Sequence, residues 1–202
     1  MSFPAWFTLA NALTAFEAAA TLAFALSGLV EAARKRMDAV GVATVAGITA
    51  FGGGTMRDVL LDRRPFFWVE HAGWVWVLLG LTAGAMLFMR ARHFSPTLRA
   101  TQWPDAIGLG LFSAHGTQIA LDQGLPAIVA VLMGMITAVF GGVLRDIVCN
   151  EIPSAFSDHR PYAVCAFIGG WALVGAQAGG VPPGGALLVC PTKFLNVCPT
   201  QS

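Results

Sequence analysis

Six apolar stretches, each long enough to cross a bilayer as a helix, alternate with short polar breaks along this chain. A spanning helix needs about 20 mainly apolar residues to traverse about 30 Å of hydrocarbon. The stretches run roughly from Ala12 to Ala33, Ala39 to Leu61, Ala72 to Met89, Trp103 to Leu121, Leu125 to Cys149 and Tyr162 to Gln177. Arg34, Lys35 and Arg36 close the first, a polar loop from Arg90 to Gln102 follows the third, and Asn150-Glu151-Ile152-Pro153 reads as the exit from the fifth. Trp74 and Trp76 open the third segment, where aromatic side chains anchor at the membrane interface. After Pro182 and Pro183 the apolar run Gly184 to Cys190 is too short to span.

The pattern repeats. A shift of 88 positions, the separation of Arg57 and Arg145, sets Ile48-Thr49-Ala50 on Ile136-Thr137-Ala138, Gly53-Gly54 on Gly141-Gly142, and Arg57-Asp58 on Arg145-Asp146. The same shift sets Pro65 on Pro153, Phe24 on Phe112, Gly28 on Gly116 and Ser27 on His115. Each copy holds three crossings, an odd number, so the second enters from the opposite side. The expectation is an all-α polytopic membrane protein of two inverted three-helix repeats, residues 1–92 and 93–180, with a short or irregular segment over 181–202. Inverted repeats with interrupted helices commonly hold a substrate or ion site near the midplane.

Composition agrees. Hydrophobic residues make up 56% of the 202 and charged residues 11%, where a soluble domain carries about 25% charged residues. Mean hydropathy is +0.68. A net charge of +1 without a basic stripe excludes a nucleic-acid partner. The N-terminus lacks the Lys/Arg-rich start of a cleavable signal peptide, so the first segment is expected to be retained. Cys149, Cys165, Cys190 and Cys198 show no C-x-x-C spacing; they are expected to be packing residues rather than metal ligands. With the N-terminus outside, Arg34, Lys35, Arg36, Arg90, Arg92, Arg99, Arg145 and Arg160 fall at cytoplasmic ends. Arg57, Arg63 and Arg64 then fall at outer ends, which favours that orientation.

The repeated motif carries the candidate chemistry. Gly52, Gly53, Gly54, Gly141 and Gly142 either let helices approach closely or loosen the backbone and free carbonyls that could coordinate a desolvated cation. Thr49 and Thr137 precede them and can bond freed carbonyls or hydrate an ion. Arg57 and Arg145 either end their segments at the interface or lie inside the membrane, where charge is a default functional signal. There they would act as a gate or barrier in a cation path, or hold an anionic lipid head group. Asp58 and Asp146 adjoin them, but neighbours i and i+1 do not face each other on a helix. Each aspartate is therefore expected to cap or to pair elsewhere, the other repeat's arginine being one candidate. Glu17 and His115 are lesser cavity candidates, and Glu31 is expected to be solvated. No nucleophile-elbow, phosphate-loop, H-E-x-x-H or dinucleotide motif occurs, so no enzyme is indicated.

Gly52-Gly53-Gly54-Thr55-Met56-Arg57-Asp58-Val59-Leu60 and Gly141-Gly142-Val143-Leu144-Arg145-Asp146, with Cys149-Asn150-Glu151-Ile152-Pro153, resemble the prokaryotic trimeric intracellular cation (TRIC) channel family. The likeness spans roughly Ala12 to Pro183. It implies homotrimers in an inner or plasma membrane, with a separate pore in each protomer conducting K⁺ and other monovalent cations. It further implies that the second and fifth helices line that pore, beside Arg57 and Arg145. Cofactors are not expected, apart from the transported cations and bound membrane lipid. The family has a seventh helix, whereas Ala186 to Ser202 here contains Pro191 and Pro199 and no long apolar run. A secondary transporter working by alternating access is the alternative that inverted repeats equally allow.

Overall fold

The computed structural model describes residues 9–92, 98–157, 162–182 and 185–187. Eight helices occur among them: α1 (Leu9–Arg34), α2 (Ala39–Leu60), α3 (Phe67–Glu70), α4 (Gly73–Arg92), α5 (Leu98–Asp122), α6 (Ala127–Val148), α7 (Ser154–Ser157) and α8 (Tyr162–Ala178). The six long ones are the six apolar stretches. α5 departs most, because it begins at Leu98 inside the expected polar loop and carries Pro104 within it. Thr101 and Asp105 in its first turns are buried against other helices, so polarity there marks an inward face. Of the expected seventh segment only residues 181–182 and 185–187 are described; Ala186 and Leu187 pack with Ala12, Ala114 and Leu173. The rest of that expectation, Pro191 and Pro199 included, lies outside the described residues, as do Cys190 and Cys198.

The helix ends are written in short polar signals. Asp38 accepts from Gly41 N–H at 2.8 Å and caps α2. α2 and α6 both end in a left-handed residue, Asp62 (φ 50°) and Asn150 (φ 56°), which lie at the repeat offset. Asp and Asn tolerate that conformation better than other non-glycine residues. The next amides reach back, Arg63 N–H to Asp58 O at 2.8 Å and Glu151 N–H to Asp146 O at 2.9 Å. Asp62 N–H to Val59 O and Asn150 N–H to Ile147 O complete a Schellman motif at each end.

α1, α2, α5 and α6 pack together in the centre, with α4 against α2 and α8 against α6 and α5. α1 and α5 run antiparallel, since Glu17 and His115 meet a common partner at one end while Ser27 bonds Asp105 at the other. The two halves are thus inverted copies. Trp76, Leu87, Val164 and Trp171 project outward from α4 and α8 and remain exposed, as a lipid-facing surface requires. Three described helices, 11–34, 39–60 and 127–148, are by length and apolarity sufficient to cross a membrane.

The glycine clusters do not interrupt anything. α2 is helical through Gly52–Gly54 and α6 through Gly141–Gly142, which corrects the expected breaks and freed carbonyls. The glycines let two helices cross. A Cβ on Gly141 would stand 2.5 Å from the Thr49 carbonyl oxygen, and one on Gly53 would overlap the Thr137 carbonyl oxygen. Gly54 makes room for the Phe67 ring, and a Cβ on Gly52 would meet Leu144 at 2.9 Å. Close packing of small residues outweighs backbone loosening here because lipid offers no competing partner for the exposed peptide groups of a broken helix.

Candidate functional site

Thr49, Gly53 and Arg57 are spaced four apart on α2, as are Thr137, Gly141 and Arg145 on α6, so each trio lies along one helix face. The threonines sit in the crossing and turn their hydroxyls inward on their own helices, Thr49 to Val45 O at 2.6 Å and Thr137 to Met133 O at 2.7 Å. They bond intact helix carbonyls rather than freed ones. Because the helices run antiparallel, the two arginines emerge on opposite sides of the crossing.

Arg57 is 0% exposed. It donates through Nε to Asp58 Oδ1 at 2.8 Å and through Nη2 to Glu17 Oε1 at 2.9 Å, and its Nη1 lies 3.0 Å from His115 Nδ1. Its guanidinium also stands over the Phe67 ring at 5.7 Å. Arg145 reproduces the plan with Asp146 Oδ1 at 2.8 Å, Asp105 Oδ1 at 2.7 Å and Ser27 Oγ at 2.5 Å. Glu17 corresponds to Asp105 and Ser27 to His115 at the 88-residue offset. Each arginine therefore takes two acids from its own half and one polar group from the other half.

Two expectations are corrected. The adjacent Arg-Asp residues do pair, because arginine is long enough to fold back onto its neighbour in the last turn. The second aspartate oxygen is held beyond the helix end, Asp58 Oδ2 by Phe67 N–H at 3.1 Å and Asp146 Oδ2 by Ser154 N–H at 2.9 Å. Neither aspartate reaches the other repeat's arginine in these contacts. Both guanidinia are buried within the protein, Arg57 at 0% and Arg145 at 4% exposure.

Formal charge follows from the geometry. Asp58 and Glu17 face Arg57, and Asp105 and Asp146 face Arg145. Each cluster sets two carboxylates against one buried arginine, so neither is an uncompensated cationic barrier. Arg63 approaches Asp58 at 3.8 Å but is 43% exposed, where solvent weakens its pull.

A cavity of about 360 Å³ opens beside the Arg57 cluster. Glu17, Asp58 and His115 form part of its wall, with Arg63, Glu70, His71, Asp122 and Gln123 around them. Gly52, Gly53, Gly141, Thr49 and Thr137 belong to the crossing instead, Gly54 faces Phe67 and Gly142 faces the Arg145 cluster; none of them is among its lining residues. Asp105, Arg63, Glu70 and Asp122 escaped the sequence reading. Asp105 was detectable, since the repeat offset carries Glu17 onto it; the others are ordinary loop and helix-end residues until the fold gathers them. Glu31, expected to be solvated, is 4% exposed and bonded to Arg34. Among the cysteines Cys149 is free and buried, whereas Cys165 is disulfide-bonded, which corrects its reading as an inert packing residue.

The family model described as Glycine transporter matches residues 14–92 and again 102–178. An orthologue of the TRIC trimeric intracellular cation channel from Rhodobacter sphaeroides, solved by crystallography, superposes with a TM-score of 0.83 at 34% identity, covering 91% of this chain and 94% of that one. The chain belongs to the prokaryotic TRIC family. A second TRIC cation channel structure matches at 33% identity with a TM-score of 0.79, over 91% of this chain and 89% of that chain. A UPF0126 membrane protein of Vibrio cholerae is 38% identical over 172 residues, covering 83% of this chain and 70% of the relative. The inner membrane protein YadS of Escherichia coli is 36% identical over 154 residues, 74% of this chain and 72% of the relative. This TRIC family member is accordingly an integral membrane protein. Its two family-model matches begin at residues 14 and 102, the same offset that relates the two arginine clusters.

Proposed function

We propose that the chain is a cation channel conducting K⁺ and other monovalent cations, with one pathway in each protomer of a homotrimer. The carrying observation is the cavity lined by Glu17, Asp58, Glu70 and Asp122, which leads to a buried cluster whose arginine is outnumbered by carboxylates. Carboxylates at a mouth raise the local cation concentration, an effect that fades with ionic strength. The pathway passes between α1, α2, α5 and α6, from the Arg57 cluster to its counterpart at Arg145, with the N-terminus outside. Arg57 and Arg145 act as fixed posts that orient the carboxylates and set the width of the path. Likeness to TRIC cation channels supports this reading. The test is planar-bilayer recording of purified protein: unitary currents whose K⁺ reversal potential follows the Nernst slope are expected, and saturable flux without unitary events would overturn it. Light scattering of the detergent-solubilised protein tests the trimer.

A secondary transporter for a small zwitterion is the second reading. Both charge signs line the cavity, with Arg63 and His71 available to a carboxylate and Glu17 and Asp58 to an ammonium group, and the matching family model is described as Glycine transporter. Counterflow of radiolabelled glycine into proteoliposomes distinguishes it.

A further inference from the structure

The repeat makes every position at the open mouth comparable with one on the opposite side. Arg63, Ile119, Asp122 and Gln123, which line the cavity, correspond at the 88-residue offset to Glu151, Glu31, Arg34 and Lys35. These four are joined. Arg34 Nη2 lies 2.6 Å from Glu31 Oε1 and 2.7 Å from Glu151 Oε1, and Lys35 Nζ lies 2.5 Å from the same Glu151 oxygen. Glu31 is buried and also accepts from Thr101 on α5 at 3.4 Å, which ties the group to α5. Where one side has a mouth, the other has ion pairs clasping the end of α1 to the turn after α6.

The backbone explains why Glu151 can serve. It occupies the position just past the left-handed Asn150, and its amide is held by Asp146 O at 2.9 Å. Asp146 in turn pairs with Arg145 at 2.8 Å. The Arg145 cluster is thus joined through Asp146 to the Glu151 backbone amide. Arg63, its counterpart, stands on the same motif after α2 and leaves its mouth open.

We propose that Glu151, Arg34 and Lys35 form a latch that closes the second mouth, and that its release completes the pathway from the Arg57 vestibule. The inference rests on the transport reading. A second mouth would need separation of the α1 and α6 ends, where Cys149 packs with Leu29 and Ala32 and partly exposed ion pairs reach across, with Arg34 25%, Lys35 30% and Glu151 39% exposed. Such pairs are weak enough to open on a gating timescale.

The test uses the full chain in planar bilayers and in proteoliposomes. Glu151→Gln should raise open probability about two- to fivefold, the range that a partly exposed ion pair commands, and Glu151→Lys should raise it further. Lys35→Glu in the Glu151→Lys background, which swaps the charges of that pair and leaves the Arg34–Glu31 bond in place, should bring gating back toward wild type, a rescue that general destabilisation would not give. A second readout is independent of conduction: the maleimide labelling rate of the buried native Cys149, two residues before Glu151, should rise in Glu151→Gln, with Cys149→Ser as the blank. Wild-type open probability and wild-type labelling in monodisperse Glu151→Gln and Glu151→Lys would overturn the latch. Absence of unitary current from the wild type would count against the channel, and the labelling comparison alone would then decide the latch.

Discussion

Gly53 lies so close to the carbonyl of Thr137 that a side-chain carbon at Gly53 would overlap its oxygen, and Gly141 is set against Thr49 in the same way. The two contacts are one crossing seen from its two ends, since α2 and α6 are inverted copies. Gly53→Ala and Gly141→Ala should each force the helices apart, at a cost of about 1–3 kcal/mol from overpacking. Gly142→Ala is the control, because a Cβ there meets nothing nearer than 3.8 Å. Thermal unfolding in detergent should separate them: a clear loss for the first two, and a change within about 0.5 kcal/mol for the third.

Removing an arginine leaves two carboxylates stranded. Arg145→Met should destabilise by about 3–5 kcal/mol, as breaking buried ion pairs does, and adding Asp105→Leu should recover part of the loss. Non-additive midpoints in the double-mutant cycle are the expected result; strict additivity would mean that Arg145 and Asp105 do not share one network.

His115 and Ser27 do the same job for the two arginines, although one is an imidazole and the other a hydroxyl. His115→Leu removes a partner of Arg57 and should cost about 1–3 kcal/mol. Glu17 and Asp58 remain, so the variant should still assemble, and size-exclusion chromatography with thermal denaturation checks both points.

The Lys35 ammonium, hydrogen-bonded to Glu151, holds that carboxyl below the usual carboxylate range; burial opposes the shift and Arg34 reinforces it. A depressed folded value means that the stabilisation is complete above the unfolded pKa of about 4.3 and fades as pH falls through the folded value. Because Glu151 is 39% exposed, the contribution is at most about 1 kcal/mol. Wild type and Glu151→Gln should differ in thermal midpoint at neutral pH and converge as pH falls through the depressed folded value of Glu151.

Glu70 and Asp122 line the mouth without belonging to the Arg57 cluster. Glu70→Gln with Asp122→Asn should lower unitary K⁺ conductance at about 0.01–0.1 M salt and leave it nearly unchanged at about 1 M, where screening acts within about 3 Å. Equal conductance at both salts would remove these residues from the entry path.

Hydrophobic spacing alone located all six long helices, and for a physical reason: lipid demands an uninterrupted apolar length, which a chain cannot conceal. The offset of 88 likewise carried the inverted duplication, since paired positions such as Arg57 and Arg145 keep their chemistry in both copies. The ends of α2 and α6 were written in Asp62 and Asn150, whose side chains tolerate the left-handed turn. Tertiary structure decided everything that depends on which face meets which. Glycine pairs can bend a helix or admit a neighbour, and only the approach of Gly53 to Thr137 shows that they admit one. An arginine beside an aspartate on a helical wheel points elsewhere, yet burial at 0% exposure leaves Arg57 no water and makes every nearby acid a partner. The cavity and the ion-pair cluster likewise come from residues at matching positions, and what separates them is the side chains the fold brings to each side: Arg63 and Asp122 line a cavity on one, and Glu151 lies between Arg34 and Lys35 on the other.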